Sequence, residues 1–454
     1  MSAVDVEAIA ARHPAVFAAA GRKGRTGWCV GAGIVAYLAF AWWLFSVGTV
    51  FSSANWGIAG TYLADWVSYE TRPNVDYVDG GATISYPRFS AYRQDRHPDW
   101  IELQPAAAAG GATKPVYSRI DMAIGFGKLV VEANRVTVTR GDEVLAIDVT
   151  RDRRVDAVGA LPSWAMQRAP GQRISVDLGF EGSADIEEDE VKVRHRFWGW
   201  ENFLFDANSP FWGMSTGQVL GLVLSGERID PSMSNAALAW SNIVNNAEWQ
   251  HGDVWLKLLQ TIVMAFVGTL LATIVAFPLA FMAARNITRS RVVNQVTKRL
   301  FDFLRSVDML IWALFFTRAF GPGPLAGISA IFFTDTGTFG KLYSEALENI
   351  DDKQREGVKS VGAAPVLVQR YGVLPQVLPV FLSQSLYFWE SNTRSATIIG
   401  AVGAGGIGLK LWEAMRTNSD WENVAYMVLL ILAVVFVFDS ISSALRRRLM
   451  GGGT

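Results

Sequence analysis

Charged residues vanish from three stretches of the chain, and those gaps predict its architecture. Between Arg25 and Asp65 no charge occurs, and Gly27 to Val50 is dense in Val, Leu, Ala, Phe and Trp. About 20 apolar residues in a helix cross a bilayer core, so residues 27–50 predict a first membrane helix. A cleaved signal peptide competes with that reading, since Arg22, Lys23 and Arg25 precede the run. The run is longer than the roughly 7–15 residues of a signal core and starts late in the chain, which favours a retained helix. Leu258 to Ala284 is the second gap, followed at once by Arg285, Arg289, Arg291, Lys298 and Arg299. Val424 to Phe438 is the third, followed by Arg446, Arg447 and Arg448.

Lys and Arg concentrate on the cytoplasmic side of a membrane. The N-terminal segment 1–26, the basic cluster after Ala284 and the C-terminus are therefore expected inside. An even number of crossings follows, and six is the expected count. The middle of the chain is less regular. Leu300 to Phe320 is apolar but carries Asp302, Arg305, Asp308 and Arg318, and Leu325 to Phe333 is short and runs into Thr334-Asp335-Thr336. With Gly321-Pro322-Gly323-Pro324 as a turn, these two stretches predict a helical hairpin whose ionisable residues face protein or water. A further helix is expected from about Pro375 to Ile399.

From Asp65 to Trp249 the pattern changes to short alternating runs. Leu129 to Thr139 alternates, Arg140 to Glu143 reads as a turn, and Val144 to Val149 resumes, which is a hairpin signature. Thr83–Tyr86, Arg173–Phe180 and Glu190–Arg196 are further strand candidates, with Glu181-Gly182 as a turn, and the acidic run Asp185 to Glu190 reads as a solvated strand end. The fold class expected is a polytopic α-helical membrane protein, with an extracytoplasmic β-rich domain and connector at 51–253 and a membrane core at 254–450. The outer domain either docks a partner or shields the helices.

Composition sharpens this picture. The 454 residues are 50% apolar and only 18% charged, against about 25% charged in soluble domains. Net charge is -1, from 41 basic and 42 acidic side chains, so no basic excess invites nucleic acid. The single cysteine, Cys29, excludes an intramolecular disulfide, and His13, His97, His195 and His251 are too far apart for a local metal motif.

Three motifs carry candidate chemistry. Gly403, Gly405, Gly406 and Gly408 fit G-x-G-x-x-G, but they follow a membrane helix rather than a strand, which disfavours a dinucleotide site. Close backbone packing or a helix break at membrane depth fits their flanks better. Glu390 and Arg394 are four positions apart, so on a helix they share a face. Together with Ser391, Asn392, Ser395 and Thr397 they offer groups suited to a tetrahedral oxyanion, and guanidinium matches such an anion well. A purely structural ion pair is the alternative. The third motif is the polar segment 345–375, where Glu356 is followed six residues on by Gly362 and then by Gly372-Val373-Leu374-Pro375.

That last spacing resembles the E-A-A-x3-G-x9-I-x-L-P loop of ABC-transporter permeases, with Gly357 and Val358 replacing the alanines and Gly372 the isoleucine. Tyr371 to Pro379, Tyr387 to Thr397, Gly400 to Gly408 and Leu411-Trp412-Glu413 then follow in an order similar to the permease subunits of phosphonate importers. The resemblance covers about 258–447. It implies that Glu356 and Gly362 mark a short coupling helix seated on a cytoplasmic ATPase dimer, with Pro375 at the start of the next membrane helix. It also implies a homodimer of the chain in the bacterial inner membrane, among lipid, served by an extracytoplasmic substrate-binding protein. ATP and Mg would sit on the partner ATPase, since this chain has no P-loop, and no cofactor, metal or catalytic residue is expected here. The substrate implied is a phosphorus oxyanion: phosphonate, phosphite or phosphate. An importer of the same architecture for another small substrate, and a non-transporting receptor, are the competing functions. A membrane enzyme is disfavoured, because no nucleophile–base or metal constellation is visible.

Overall fold

A computed structural model describes residues 14–54, 56–87, 90, 92, 96–106, 115–150, 154–417 and 421–449. Half of the expected cytoplasmic N-terminal segment, 1–13, lies outside the described residues. The chain divides into two compact units, Met1–Leu63 and Ala64–Thr454.

In the first unit, helix α1 (Pro14–Leu44) contains a 19-residue span, Thr26–Leu44, long and apolar enough to cross a membrane. It stops six residues short of the expected Val50. Ser46 adopts a left-handed φ of 49°, so the chain cannot continue the helical hydrogen-bond run. Helices α2 (Val47–Ser53) and α3 (Trp56–Asp65) follow.

The second unit opens with one antiparallel sheet of thirteen strands, larger than the short runs of sequence suggested. Its centre is β5 (Tyr117–Ile124), β6 (Gly127–Glu132), β7 (Arg135–Arg140) and β8 (Glu143–Thr150), paired in that order. Ile120, Met122, Leu129, Val131, Val136, Val138, Leu145 and Ile147 turn to one face and are buried there, while charged neighbours turn outward. The expected single strand from Leu129 to Thr139 is in fact two. Ala133-Asn134 forms a tight turn with Val131 opposite Val136. The sequence carried the sign of this: inward residues change from odd positions (129, 131) to even ones (136, 138), and a period of two permits that only across a turn. Likewise the turn before β12 (Gly182–Ile186) is Gly179 to Glu181, and Gly182 already belongs to the strand. The acidic run ends that strand in solvent, where Lys192 bridges Glu187 and Glu190 at 2.8 and 3.0 Å.

After β13 (Glu190–Trp198) come two short helices, α4 (Thr216–Ser225) and α5 (Asn235–Val244), and then α6 (His251–Ala283), a 33-residue apolar helix. At 1.5 Å per residue α6 is about 50 Å long, enough to cross a bilayer with turns to spare at each end. The chain leaving the sheet is bound to the start of α6. His251 Nε2 donates to the Phe203 carbonyl at 2.6 Å, and Trp249 Nε1 donates to the Glu201 carbonyl at 2.8 Å. Trp200, Phe203, Trp249 and Tyr426 close the joint with ring contacts.

Helices α7 (Arg291–Ser306), α8 (Met309–Phe320), α9 (Pro324–Glu348), α10 (Asp352–Ser360), α11 (Pro365–Val368), α12 (Leu374–Ile399), α13 (Gly406–Thr417) and α14 (Trp421–Leu449) complete the core. The expected hairpin is corrected on both arms. Leu300 to Phe320 is not one helix. Asp308 caps α8 by accepting from Leu310 N at 2.8 Å, and Asp302 and Arg305 belong to the separate amphipathic α7. On the other arm α9 runs straight through Thr334-Asp335-Thr336 for 25 residues. Those polar side chains do not end it, because Thr336 returns its hydroxyl to the Phe332 carbonyl at 2.6 Å and Asp335 is buried against a neighbouring helix. Among the described residues four spans are long and apolar enough to cross a membrane: Thr26–Leu44, His251–Ala283, Pro365–Ala404 and Trp421–Leu449.

Glycines set the helix spacing. A Cβ on Gly268 would lie 2.7 Å from Ile331, and one on Gly337 would lie 2.7 Å from the Arg305 backbone nitrogen. Such contacts let α6, α9 and α7 approach almost backbone to backbone.

Candidate functional site: a projecting helix and a membrane-depth polar path

Helix α10 is mostly polar, with no fully buried residue. Asp351 caps it by accepting from Lys353 N at 3.0 Å, and Gly362 ends it in the left-handed region at φ 80°. That is the residue type and position a helix stop needs. Glu356 is exposed on this helix. The segment outside the long helices is narrower than the expected 345–375, since α9 extends to Glu348 and Pro365 begins the next helix. A wide π-helical turn, Gln369–Val373, joins that short helix to α12, with Pro375 in its first turn.

The projecting helix is tied to the core at a few points. Gln376 Oε1 accepts from Asp351 N at 3.2 Å, and Arg355 donates to the Asn286 carbonyl at 3.3 Å. A Cβ on Gly372 would meet the Arg355 Cα at 3.1 Å. The glycine standing where the loop pattern has isoleucine thus lets α10 lie directly on the chain that enters α12. Val361 and Val366, 80% and 76% exposed, flank the charged helix with an uncovered apolar surface. The sheet joins the His251 end of α6 and α10 reaches Asn286 past its other end, so the two lie at opposite ends of that helix.

On α12 the expected pair forms. Arg394 donates to Glu390 at 2.7 Å. Their environments differ sharply: the Glu390 side chain is 7% exposed and that of Arg394 is 61% exposed. The carboxylate holds the guanidinium from the buried side, and most of the Arg394 side chain is exposed. The other expected members do not converge on it. Asn392 is buried on another side of the helix, where its amide bonds Asp335 and, at 2.7 Å, Thr269 Oγ1. Ser391, Ser395 and Thr397 are half-buried. Asp335 and Thr269 were not among the expected site residues. Only a charge in the middle of an apolar helix marked the first, and nothing marked the second.

The glycine motif breaks the chain after α12. A wide turn, Gly400–Ala404, contains Gly403 and leads into Gly405 and Gly406, all three with positive φ. Helix α13 then folds back so closely that a Cβ on Gly408 would sit 1.8 Å from the Thr397 carbonyl oxygen. Ile407 N donates to Thr261 Oγ1 at 2.9 Å and pins the start of α13 to α6. No phosphate cradle preceded by a strand is formed here.

Residues 276–451 match the family described as binding-protein-dependent transport system inner membrane component. Over 194 residues the chain is 39% identical to the phosphite transport system permease protein PtxC of Stutzerimonas stutzeri, covering 42% of this chain and 70% of that one. It is 48% identical over 118 residues to the cryptic phosphonate transport system permease protein PhnE2 of Escherichia coli K12, covering 26% of this chain and 96% of the relative. It is 35% identical over 192 residues to the phosphate-import permease protein PhnE of Mycolicibacterium smegmatis, covering 42% of this chain and 36% of that one. None of these matches spans more than half of this chain.

Proposed function

The chain belongs to the inner membrane components of binding-protein-dependent transport systems, as a phosphonate-type ABC permease, and from that we propose that it carries a phosphorus oxyanion into the cell. The observation that supports this reading best is the anchored, outward-pointing Arg394. A guanidinium held from behind by Glu390 and open in front is suited to an anion with several equivalent oxygens. The relatives named for phosphite, phosphonate and phosphate share that substrate class.

In this reading two copies of the chain form the pore, each crossing the membrane six times, with the α7–α8 segment and α9 added to the four long spans. Both termini lie in the cytoplasm, where Arg285 to Arg299 and Arg446 to Arg448 supply the positive side. Helix α10, with Glu356 and the exposed Val361 and Val366, seats on a cytoplasmic ATPase dimer that binds ATP and Mg. Its few ties to Asn286 and Gln376 transmit a rigid-body tilt to α6 and α12. The sheet faces outward, where a substrate-binding protein delivers the anion. Reconstitution with the ATPase and candidate binding proteins tests this. Phosphite, phosphate or a phosphonate on its binding protein should stimulate ATP hydrolysis and be taken up. Stimulation by an amino acid or another oxyanion instead refutes the substrate; recovery of a kinase rather than an ATPase on α10 refutes transport.

A further inference from the structure

Asp335 is an acid at membrane depth with 1% of its surface exposed, and the substrate path described above does not use it. Its carboxylate accepts from the Asn392 amide, and that same amide donates to Thr269 Oγ1 at 2.7 Å. Three helices, α9, α12 and α6, therefore meet at one polar point. A second point joins the same three helices: Tyr343 on α9 bonds Ser385 on α12 at 2.6 Å, and Ser385 bonds Thr273 on α6 at 3.0 Å. Asp335 and Tyr343 are eight residues apart, and Ser385 and Asn392 seven. On α9 and α12 those separations are close to two helical turns, so each of these helices presents both groups on one face, roughly 11 Å apart, while Thr269 and Thr273 lie about one turn apart on α6. Phe339 packs on Phe388 between them, with ring centroids 5.0 Å apart.

Apolar contacts hold a membrane helix in place only weakly, because lipid tails are as apolar as the neighbouring side chains. A single polar contact still permits tilt about itself. Two contacts on one line, with directional hydrogen bonds, fix both the height and the rotation of α12. Rotation matters because Arg394 lies two residues beyond Asn392, about 200° around the helix. Burying Asn392 against α9 and α6 is what turns Arg394 outward.

We infer that Asp335 is a positioning residue for transport: by holding Asn392 it fixes the rotation of α12 that aims Glu390 and Arg394 into the path. The inference rests on the substrate-path role proposed above for Arg394, so its test includes a readout that needs no substrate. Asp335→Asn keeps an oxygen that can accept from Asn392, Asp335→Leu removes it, and Thr269→Val removes the other acceptor with little change of shape. In a Cys29→Ser background, Ala396→Cys reports rotation, since Ala396 is fully buried on the packed side of α12. In membrane vesicles a water-soluble maleimide should spare that thiol in the parent. Its labelling should rise at least roughly threefold with Asp335→Leu, the factor that ~0.6 kcal/mol of interhelical hydrogen bond corresponds to. It should rise less with Thr269→Val and stay at the parent level with Asp335→Asn. In proteoliposomes holding the complete transporter, radiolabelled phosphite uptake should show a raised KM and lowered maximal rate with Asp335→Leu, both restored by Asp335→Asn. Unchanged labelling and uptake in both Asp335→Leu and Thr269→Val would overturn the inference. So would Asp335→Asn as defective as Asp335→Leu, since charge and not the bond would then be required. A parent that moves no phosphorus oxyanion while the labelling responds as expected upholds the positioning and overturns the substrate.

Discussion

Gly408→Ala adds one methyl group where the structure has no space for it. The new carbon would sit 1.8 Å from the Thr397 carbonyl oxygen, 2.8 Å from its carbon and 3.1 Å from Ala401 N, where ordinary contact begins near 3.4 Å. All three are backbone atoms, so no side chain can swing aside. Helix α13 must withdraw by more than an ångström from the end of α12. Overpacking of this kind costs about 1–3 kcal/mol, and withdrawal also strains the Ile407–Thr261 hydrogen bond, worth about 1 kcal/mol. A loss of about 2–4 kcal/mol is expected. Thermal loss of monodisperse protein in detergent should come at clearly lower temperature, and uptake should fall with it. Gly221→Ala is the matched control. It lies inside α4 with nothing within 4 Å of the new carbon, so helix propensity alone should stabilise α4 by about 1 kcal/mol and leave uptake intact. If Gly408→Ala unfolds and transports like the parent, the close packing of α13 on α12 is wrong.

The outer sheet should weaken in acid. Burial pushes the His195 imidazole down to about 4, with the Trp100 ring perpendicular to it at a centroid separation of 4.5 Å, so the unfolded chain binds the extra proton between pH 6.5 and 4. Stability is full above pH 6.5 and falls by roughly 3 kcal/mol on descending to pH 4; His195→Phe should flatten that slope in hydrogen exchange of the sheet, and an equal slope in both proteins would reject it. Arg394→Lys should lower uptake about tenfold while the protein folds normally, because a point charge replaces a planar fork. Glu390→Gln should lower uptake less, by loosening that fork; normal transport by both variants leaves neither role standing. Glu356→Lys, on an exposed face with no fold contacts to lose, should leave melting unchanged and weaken ATPase retention on the purified permease; retention equal to the parent would place the docking surface elsewhere.

Local pattern was enough for the long helices because the bilayer imposes a simple rule, and the charge gaps 258–284 and 424–438 mark α6 and α14 closely. It failed where one segment mixes both signals. Asp302 and Arg305 looked like charges inside a membrane hairpin, yet Asp308 caps a new helix and leaves them on amphipathic α7. Thr334-Asp335-Thr336 looked like the end of a span, yet α9 continues, with Thr336 bonded to the Phe332 carbonyl of its own helix and Asp335 bonded to Asn392, 57 residues away. Such a partner leaves no trace in periodicity.

By itself the sequence determined the membrane-helix gaps and the Glu390–Arg394 pairing, while the likeness to the permease loop pattern marked Glu356 and Gly362. The first two follow from charge and spacing along one element, where the bilayer thickness and 3.6 residues per turn suffice. Only the tertiary structure decided that Asn392 turns away from Arg394 to meet Asp335 and Thr269, and why glycine stands at Gly372. Both depend on how closely separate helices approach, and that distance is set by packing between residues far apart in the chain.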